Sequence, residues 1–134
     1  MGTVKTFEDL EIWKLARLLC QDISMIACHD LFSKDFGLKN QINNSSGSVM
    51  DNIAEGFDRD GTKEFIQFLS IAKASCGECR SQLYRVLDRA YITSLEFEDI
   101  SKKTIDLGRK ISNLMDYLRK TDIRGNKYKP KPQQ

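Results

Sequence analysis

Cys76-Gly77-Glu78-Cys79 sets two thiols three residues apart, a spacing that serves thiol–disulfide exchange or half of a structural zinc site. Exchange needs the first thiol at a helix N-terminus after a strand, where the helix dipole lowers its pKa. Here both cysteines fall inside a helical repeat, on its apolar seam. Zinc would need two more ligands, and Cys20 and Cys28, eight residues apart, share no helical face well. Core packing therefore outweighs metal binding as the reading of these thiols. His29 is the only histidine, which excludes a His-based triad or a multi-histidine metal site within one subunit. No Glu has a His three residues on, so the Glu-x-x-His pairs of di-iron bundles are also excluded. Asp51 and Glu55 lie one helical turn apart and offer an acid and a base, yet such a pair more often forms a solvated face. The expectation is a protein with no catalytic residue, no metal and no cofactor.

Binding chemistry has better candidates. Lys102, Lys103, Arg109 and Lys110 recur at a spacing of seven on the solvent side of a C-terminal helix, although Asp99 and Asp106 interrupt them. Arg124, Lys127, Lys129 and Lys131 add charge close behind. For one subunit the solvated-face reading of the stripe is the stronger, and repetition around a symmetric assembly would favour RNA or DNA contact through avidity. Trp13, Ile66, Phe68, Ile71, Tyr84 and Tyr91 fall largely off the helical seams, so a lone bundle would leave several of them wet. Of these, Trp13, Ile66, Tyr84 and Tyr91 are the candidates for an oligomer interface. Asn52 and Glu55, three apart and just before Gly56, place polar groups beside the core residues Ile53 and Ala54. The simpler account makes Asn52, Glu55 and Gly56 a structural motif that fixes how two helices meet.

These residues need elements to hold them. The chain of 134 residues, 40% hydrophobic and 30% charged, fits a single domain. Phe97, Ile100, Thr104, Leu107, Ile111, Leu114 and Leu118 step by three and four, the seam of a bundled helix. Phe65 through Ala90 repeats the pattern, as do Ile12, Ala16, Leu19, Ile23 and Ile26. Thr93 with Glu96 reads as a capping box, and Thr62 as an N-cap. His29 belongs to the turn after the first helix. Between Leu38 and Phe57 the spacing of Leu38, Ile42, Val49 and Ile53 is helical, but Asn43-Asn44-Ser45-Ser46-Gly47-Ser48 reads locally as a loop. On propensity alone, one long helix and a helix–loop–helix stand level.

Up to Thr121 the chain has 17 Lys and Arg against 18 Asp and Glu, while the remaining residues have four against one, so the net charge of +2 comes from the end. With Gly125, Pro130 and Pro132, residues 122–134 read as a basic tail too poor in apolar groups to order itself, after a bundle spanning residues 1–121. No apolar run reaches the roughly 20 residues of a membrane span, and the N-terminus lacks a signal-like stretch, so the expected compartment is the cytoplasm, with reduced thiols.

Five segments in order carry a resemblance: Phe7-Glu8-Asp9-Leu10-Glu11-Ile12-Trp13; Phe36-Gly37-Leu38 with Gln41-Ile42; Asn52 to Phe57; Lys63 to Leu69; and Gln82-Leu83 before Tyr91-Ile92. Together, over roughly Phe7 to Lys120, the sequence resembles the bacterial four-helix-bundle family encoded in intervening sequences of 23S ribosomal RNA genes. Relatives include the accessory variability determinant of diversity-generating retroelements, which works with a reverse transcriptase. The resemblance implies an all-α, antiparallel up-down-up-down four-helix bundle whose second helix runs through Gly47, assembled as a ring of five subunits. It departs from the family pattern at Asn43-Asn44, where members carry a basic pair, at Met50, where they carry proline, and at Asp58 and Asp60, where they are basic. Those departures remove positive charge. The expected function is a non-enzymatic homo-oligomeric scaffold with weak, sequence-independent RNA or DNA binding, accessory to a nucleic-acid enzyme. The alternative is a structural assembly or adaptor whose partner is a protein.

Overall fold

The computed structural model describes residues 3–128, with side chains described as far as residue 122. Four helices and no strand are present among the described residues: α1 (Glu11–Ile26), α2 (Phe36–Phe57), α3 (Thr62–Asp88) and α4 (Ser94–Tyr128). Short connections make sequence neighbours antiparallel, and α4 returns against α1 to close a four-helix bundle. The expected seams line its core, where Leu19, Ile23, Ile42, Ile53, Leu69, Leu83, Leu107 and Ile111 lose essentially all exposure. Phe97 and Leu114 sit at the core's edge, packed against it but only half-buried.

α2 is one unbroken helix through Gly47. Its serines turn inward instead of opening a loop. The Ser45 hydroxyl donates to Gln82 Oε1 on α3 at 2.6 Å, Ser46 bonds back to the Ile42 carbonyl at 2.9 Å, and Cys20 on α1 donates its thiol to the Ser46 carbonyl at 3.3 Å. Neighbouring helices, together with the α2 backbone itself for Ser46, thus satisfy the polar atoms that would otherwise favour a turn. Asp35 caps α2 by accepting from the Leu38 amide at 3.3 Å. The Thr93 and Glu96 box opens α4 as expected, with the Thr93 amide donating to Glu96 Oε1 at 2.9 Å and the Glu96 amide donating to Thr93 Oγ1 at 3.1 Å.

Three boundaries differ from expectation. Gly61, not Thr62, is the N-cap of α3, and Thr62 is the first helical residue. Ala90 is not a seam residue: it lies past the helix end, exposed, at φ 62°. There the Tyr91 amide reaches the Val86 carbonyl at 3.1 Å and the Ala90 amide reaches Leu87 at 2.8 Å, a Schellman closure that needs a left-handed residue. The backbone of α4 runs through residues 122–128, where a tail was expected, with no proline before Pro130 to stop it. Residues 129–134, with Lys129 and Lys131, lie outside the described residues.

Candidate nucleic-acid interface

The cysteine pair lies at mid-helix in α3 and faces the core. Burial in apolar surroundings pushes both the Cys76 and the Cys79 thiol up to about 12, which suppresses the thiolate that exchange or metal binding requires. Burial also raises Cys20, and Cys28 alone is exposed. His29 sits in the turn after α1 and bonds through Nε2 to Glu96 Oε2 at 2.7 Å, tying that turn to the start of α4. Amide donation from Thr93, then the contact with His29, holds the Glu96 carboxyl below its ordinary value.

The Asn52-Glu55-Gly56 motif divides into separate tasks. Asn52 donates to the Ser48 carbonyl and hydroxyl at 2.8 and 2.9 Å, and Ser48 bonds Ser75 on α3 at 2.9 Å. Its contact with the next helix is therefore indirect, through a serine. Glu55 does not reach a neighbouring helix; it is exposed and pairs with Arg59 at 3.1 Å. Gly56 lies inside α2, which continues to Phe57. A Cβ there would lie 2.6 Å from Phe68 Cβ and 3.0 Å from Phe65 Cδ1, so only glycine permits this approach of α2 and α3. Ser45–Gln82, Ser48–Ser75 and Gly56 form one ladder along that contact. Above it opens a polar cleft of about 460 Å³, lined by Gln41, Asn44, Glu78 and Arg85 among others.

The basic stripe on α4 splits in two. Lys103 turns to α1 and bonds Asp22 at 2.8 Å, with Asp99 at 3.2 Å, and Asp22 in first place raises its pKa. Lys110 likewise reaches Glu11 at 3.2 Å. These two are neutralised within the subunit. Lys102 is exposed and makes no ion pair among the described residues, while Arg109, one stripe over from Lys110, lies 3.4 Å from Asp106. Arg109 borders a groove of about 270 Å³ between α3 and α4, whose lining also includes Lys73, Gly77, Arg80, Ile105, Gly108 and Ser112 and contains no carboxylate. Lys73 and Arg80 form no ion pair among the described residues. Added methyl groups at Gly77 or Gly108 would meet nothing within 4 Å, so the floor is open. Arg124 and Lys127 belong to the distal helical stretch of α4, whose side chains are not described.

Lys73 and Arg80 escaped the sequence reading because α3 was read for its apolar seam. The signal was there: Lys73, Gly77 and Arg80 follow one another at i, i+4 and i+7, on a single helical face. Of the aromatic candidates, Tyr91 is engaged inside the subunit, stacked on Phe32 with centroids 5.3 Å apart and donating to Asp35 at 2.8 Å. Trp13 packs on Phe7 at 5.2 Å, and Ile66 is half-buried against the core. Tyr84 remains 51% exposed, with its ring edge-on to Phe97 at 4.8 Å. Large exposed apolar groups lie elsewhere, notably Leu18 and Met25 on α1.

The family of 23S rRNA-intervening sequence proteins matches residues 8–113. The chain belongs to this family. A solved structure of a protein with unknown function from the S23 ribosomal protein family of Bacteroides thetaiotaomicron is similar in fold, with a TM-score of 0.71 at 20% identity over 78% of this chain and 97% of that one. No curated protein matches the sequence. In this intervening-sequence protein, Asn43 is half-buried and Asn44 lines the α2–α3 cleft, whose charged lining is Glu78 and Arg85. No described helix is long and apolar enough to cross a membrane.

Proposed function

We propose that this intervening-sequence protein is a non-enzymatic, homo-oligomeric scaffold that binds RNA or DNA without sequence preference, through the groove between α3 and α4. One observation carries the reading: Lys73 and Arg80, without an ion pair among the described residues, and Arg109, which also reaches Asp106 at 3.4 Å, converge on an open groove whose lining contains no carboxylate. Such a site favours phosphate and offers no array of base-reading groups, so it positions nucleic acid and does not select a sequence. Self-association is supported by Leu18 and Met25, seven residues apart on α1 and 52% and 70% exposed; Leu18 joins Leu15 and Leu107 in a cleft of about 250 Å³ whose other lining residues are Asp22, Lys103, Asp106 and Lys110. The resemblance supplies the number five, and a closed ring would multiply three cations per subunit into an avid surface. A nucleic-acid enzyme such as a reverse transcriptase is the partner this scaffold would serve in the cytoplasm. A protein partner is the second reading, favoured by Leu31, Phe36 and Leu95, all more than 60% exposed at the bundle end where the α1–α2 and α3–α4 turns meet.

The triple variant Lys73→Gln, Arg80→Gln, Arg109→Gln tests the function. It should retain fold and oligomer mass, and lose at least tenfold in affinity for RNA and DNA alike by fluorescence anisotropy. Unchanged affinity would remove the groove from the account. Light scattering on intact protein should give a multiple of the 15.4 kDa subunit, and a monomer mass at micromolar concentration would refute the assembly.

A further inference from the structure

We infer that the α3–α4 groove takes a single strand and not a duplex, with Tyr84 as the platform on which one base stacks; this rests on the nucleic-acid reading above. Shape argues first. The groove lies between two adjacent helices packed about 8–10 Å apart, narrower than a double helix, which could only ride across its rim. Gly77 on α3 and Gly108 on α4, each with nothing within 4 Å of an added Cβ, let an incoming sugar-phosphate chain approach both backbones. Each glycine costs the helix about 1 kcal/mol against alanine, and no packing inside the subunit uses the space.

Charge and stacking then coincide on one face. Lys73, Gly77, Arg80 and Tyr84 stand at i, i+4, i+7 and i+11 on α3. Lys73 and Arg80 are about 10 Å apart along the axis, a span of a few nucleotides of one strand, and Tyr84 follows one turn later. Its ring is half exposed and held edge-on by Phe97 at 4.8 Å, so it is positioned before any base arrives. A basic groove with an aromatic at its end is the arrangement that binds single strands, because the bases are free to stack; in a duplex they are not.

Anisotropy titrations with a labelled mixed-sequence single-stranded RNA and with the corresponding duplex test this directly. The single strand should bind more tightly. Tyr84→Leu, which keeps an apolar contact for Phe97, should weaken single-strand binding by about five- to a hundredfold and leave the duplex unchanged, and Tyr84→Phe should restore it. Equal or tighter duplex binding, or a single-strand affinity indifferent to Tyr84→Leu, overturns the inference. If the charge-removing triple variant still abolishes binding in that case, the groove stands and only the single-strand assignment falls. If the triple variant is also silent, both fall. Light scattering of Tyr84→Leu should show the native mass; a drop would place Tyr84 in a subunit interface and overturn its stacking role.

Discussion

Three helical glycines should respond with opposite signs to the same substitution. Replacing a mid-helix glycine with alanine ordinarily stabilises by about 1 kcal/mol through propensity. At Gly77 and Gly108 the added methyl meets nothing within 4 Å, so the whole gain should appear. At Gly56 the new Cβ would sit 2.6 Å from Phe68 Cβ, 3.0 Å from Phe65 Cδ1 and 3.4 Å from the Phe65 carbonyl, against a carbon–carbon optimum of about 3.5–4.0 Å. Phe68 Cβ is fixed to the α3 backbone and cannot swing away, so α2 and α3 must separate by about 1 Å. Overpacking of this kind costs typically 1–3 kcal/mol, and a 2.6 Å contact with an atom fixed to the backbone belongs in the upper part of that range, about 2–3 kcal/mol. The same separation stretches the Ser45–Gln82 and Ser48–Ser75 bonds. Net of the propensity gain, Gly56→Ala should destabilise by about 1–2 kcal/mol, leaving it roughly 2–3 kcal/mol below Gly77→Ala. Urea denaturation followed by circular dichroism measures both, at one fixed protomer concentration because assembly would add its own stability. A Gly56→Ala protein as stable as the parent would refute the close-approach argument.

Further outcomes follow from the same geometry. Cys76→Ala with Cys79→Ala should fold at a cost of roughly 1–3 kcal/mol, and in the native parent iodoacetamide should modify Cys28 while Cys76 and Cys79 stay intact, as mass spectrometry would show. Stoichiometric zinc in the untreated protein would contradict the packing role. Ala90→Gly should raise stability by about 1 kcal/mol, because glycine removes the Cβ penalty at a positive φ; a loss of stability would mean that the φ of 62° is not retained. Glu96 and Asp35 both have carboxyls held below their ordinary values, Asp35 chiefly by the Tyr91 hydroxyl and then by Arg89. A depressed folded-state value stabilises above the unfolded one and is lost as pH falls through the folded one, so thermal stability should decline below about pH 4. Glu96→Gln should flatten that decline, and an unchanged acid profile would argue against a stabilising role for the Thr93–Glu96 and His29–Glu96 contacts.

The seams of three helices were legible because burial imposes a local period of three and four, visible without partners. Residues 43–48 were not, because what keeps them helical lies far away in sequence: Gln82 for Ser45 and Cys20 for the Ser46 carbonyl. The basic stripe shows the same divide. Its spacing of seven was plain, yet the acids that neutralise Lys103 and Lys110, namely Asp22 and Glu11, sit on α1 and are brought there only by closing the bundle. Tyr91 likewise read as a spare aromatic until the fold placed Phe32 and Asp35 beside it. Gly56 was legible as a special position but not as to why, since its neighbour Phe68 belongs to the next helix.

Salt dependence of binding is the most direct test of the groove. Three cations facing phosphate should release counterions with a log–log slope of about −0.7 per contact on a single strand, or about −2 from one groove. Intact protein titrated against labelled single-stranded RNA across a salt series should show a slope at least that steep. The Lys73→Gln, Arg80→Gln, Arg109→Gln protein should lose about two units of it. No binding at tens of micromolar in low salt, or a slope that the triple variant leaves unchanged, would contradict the account.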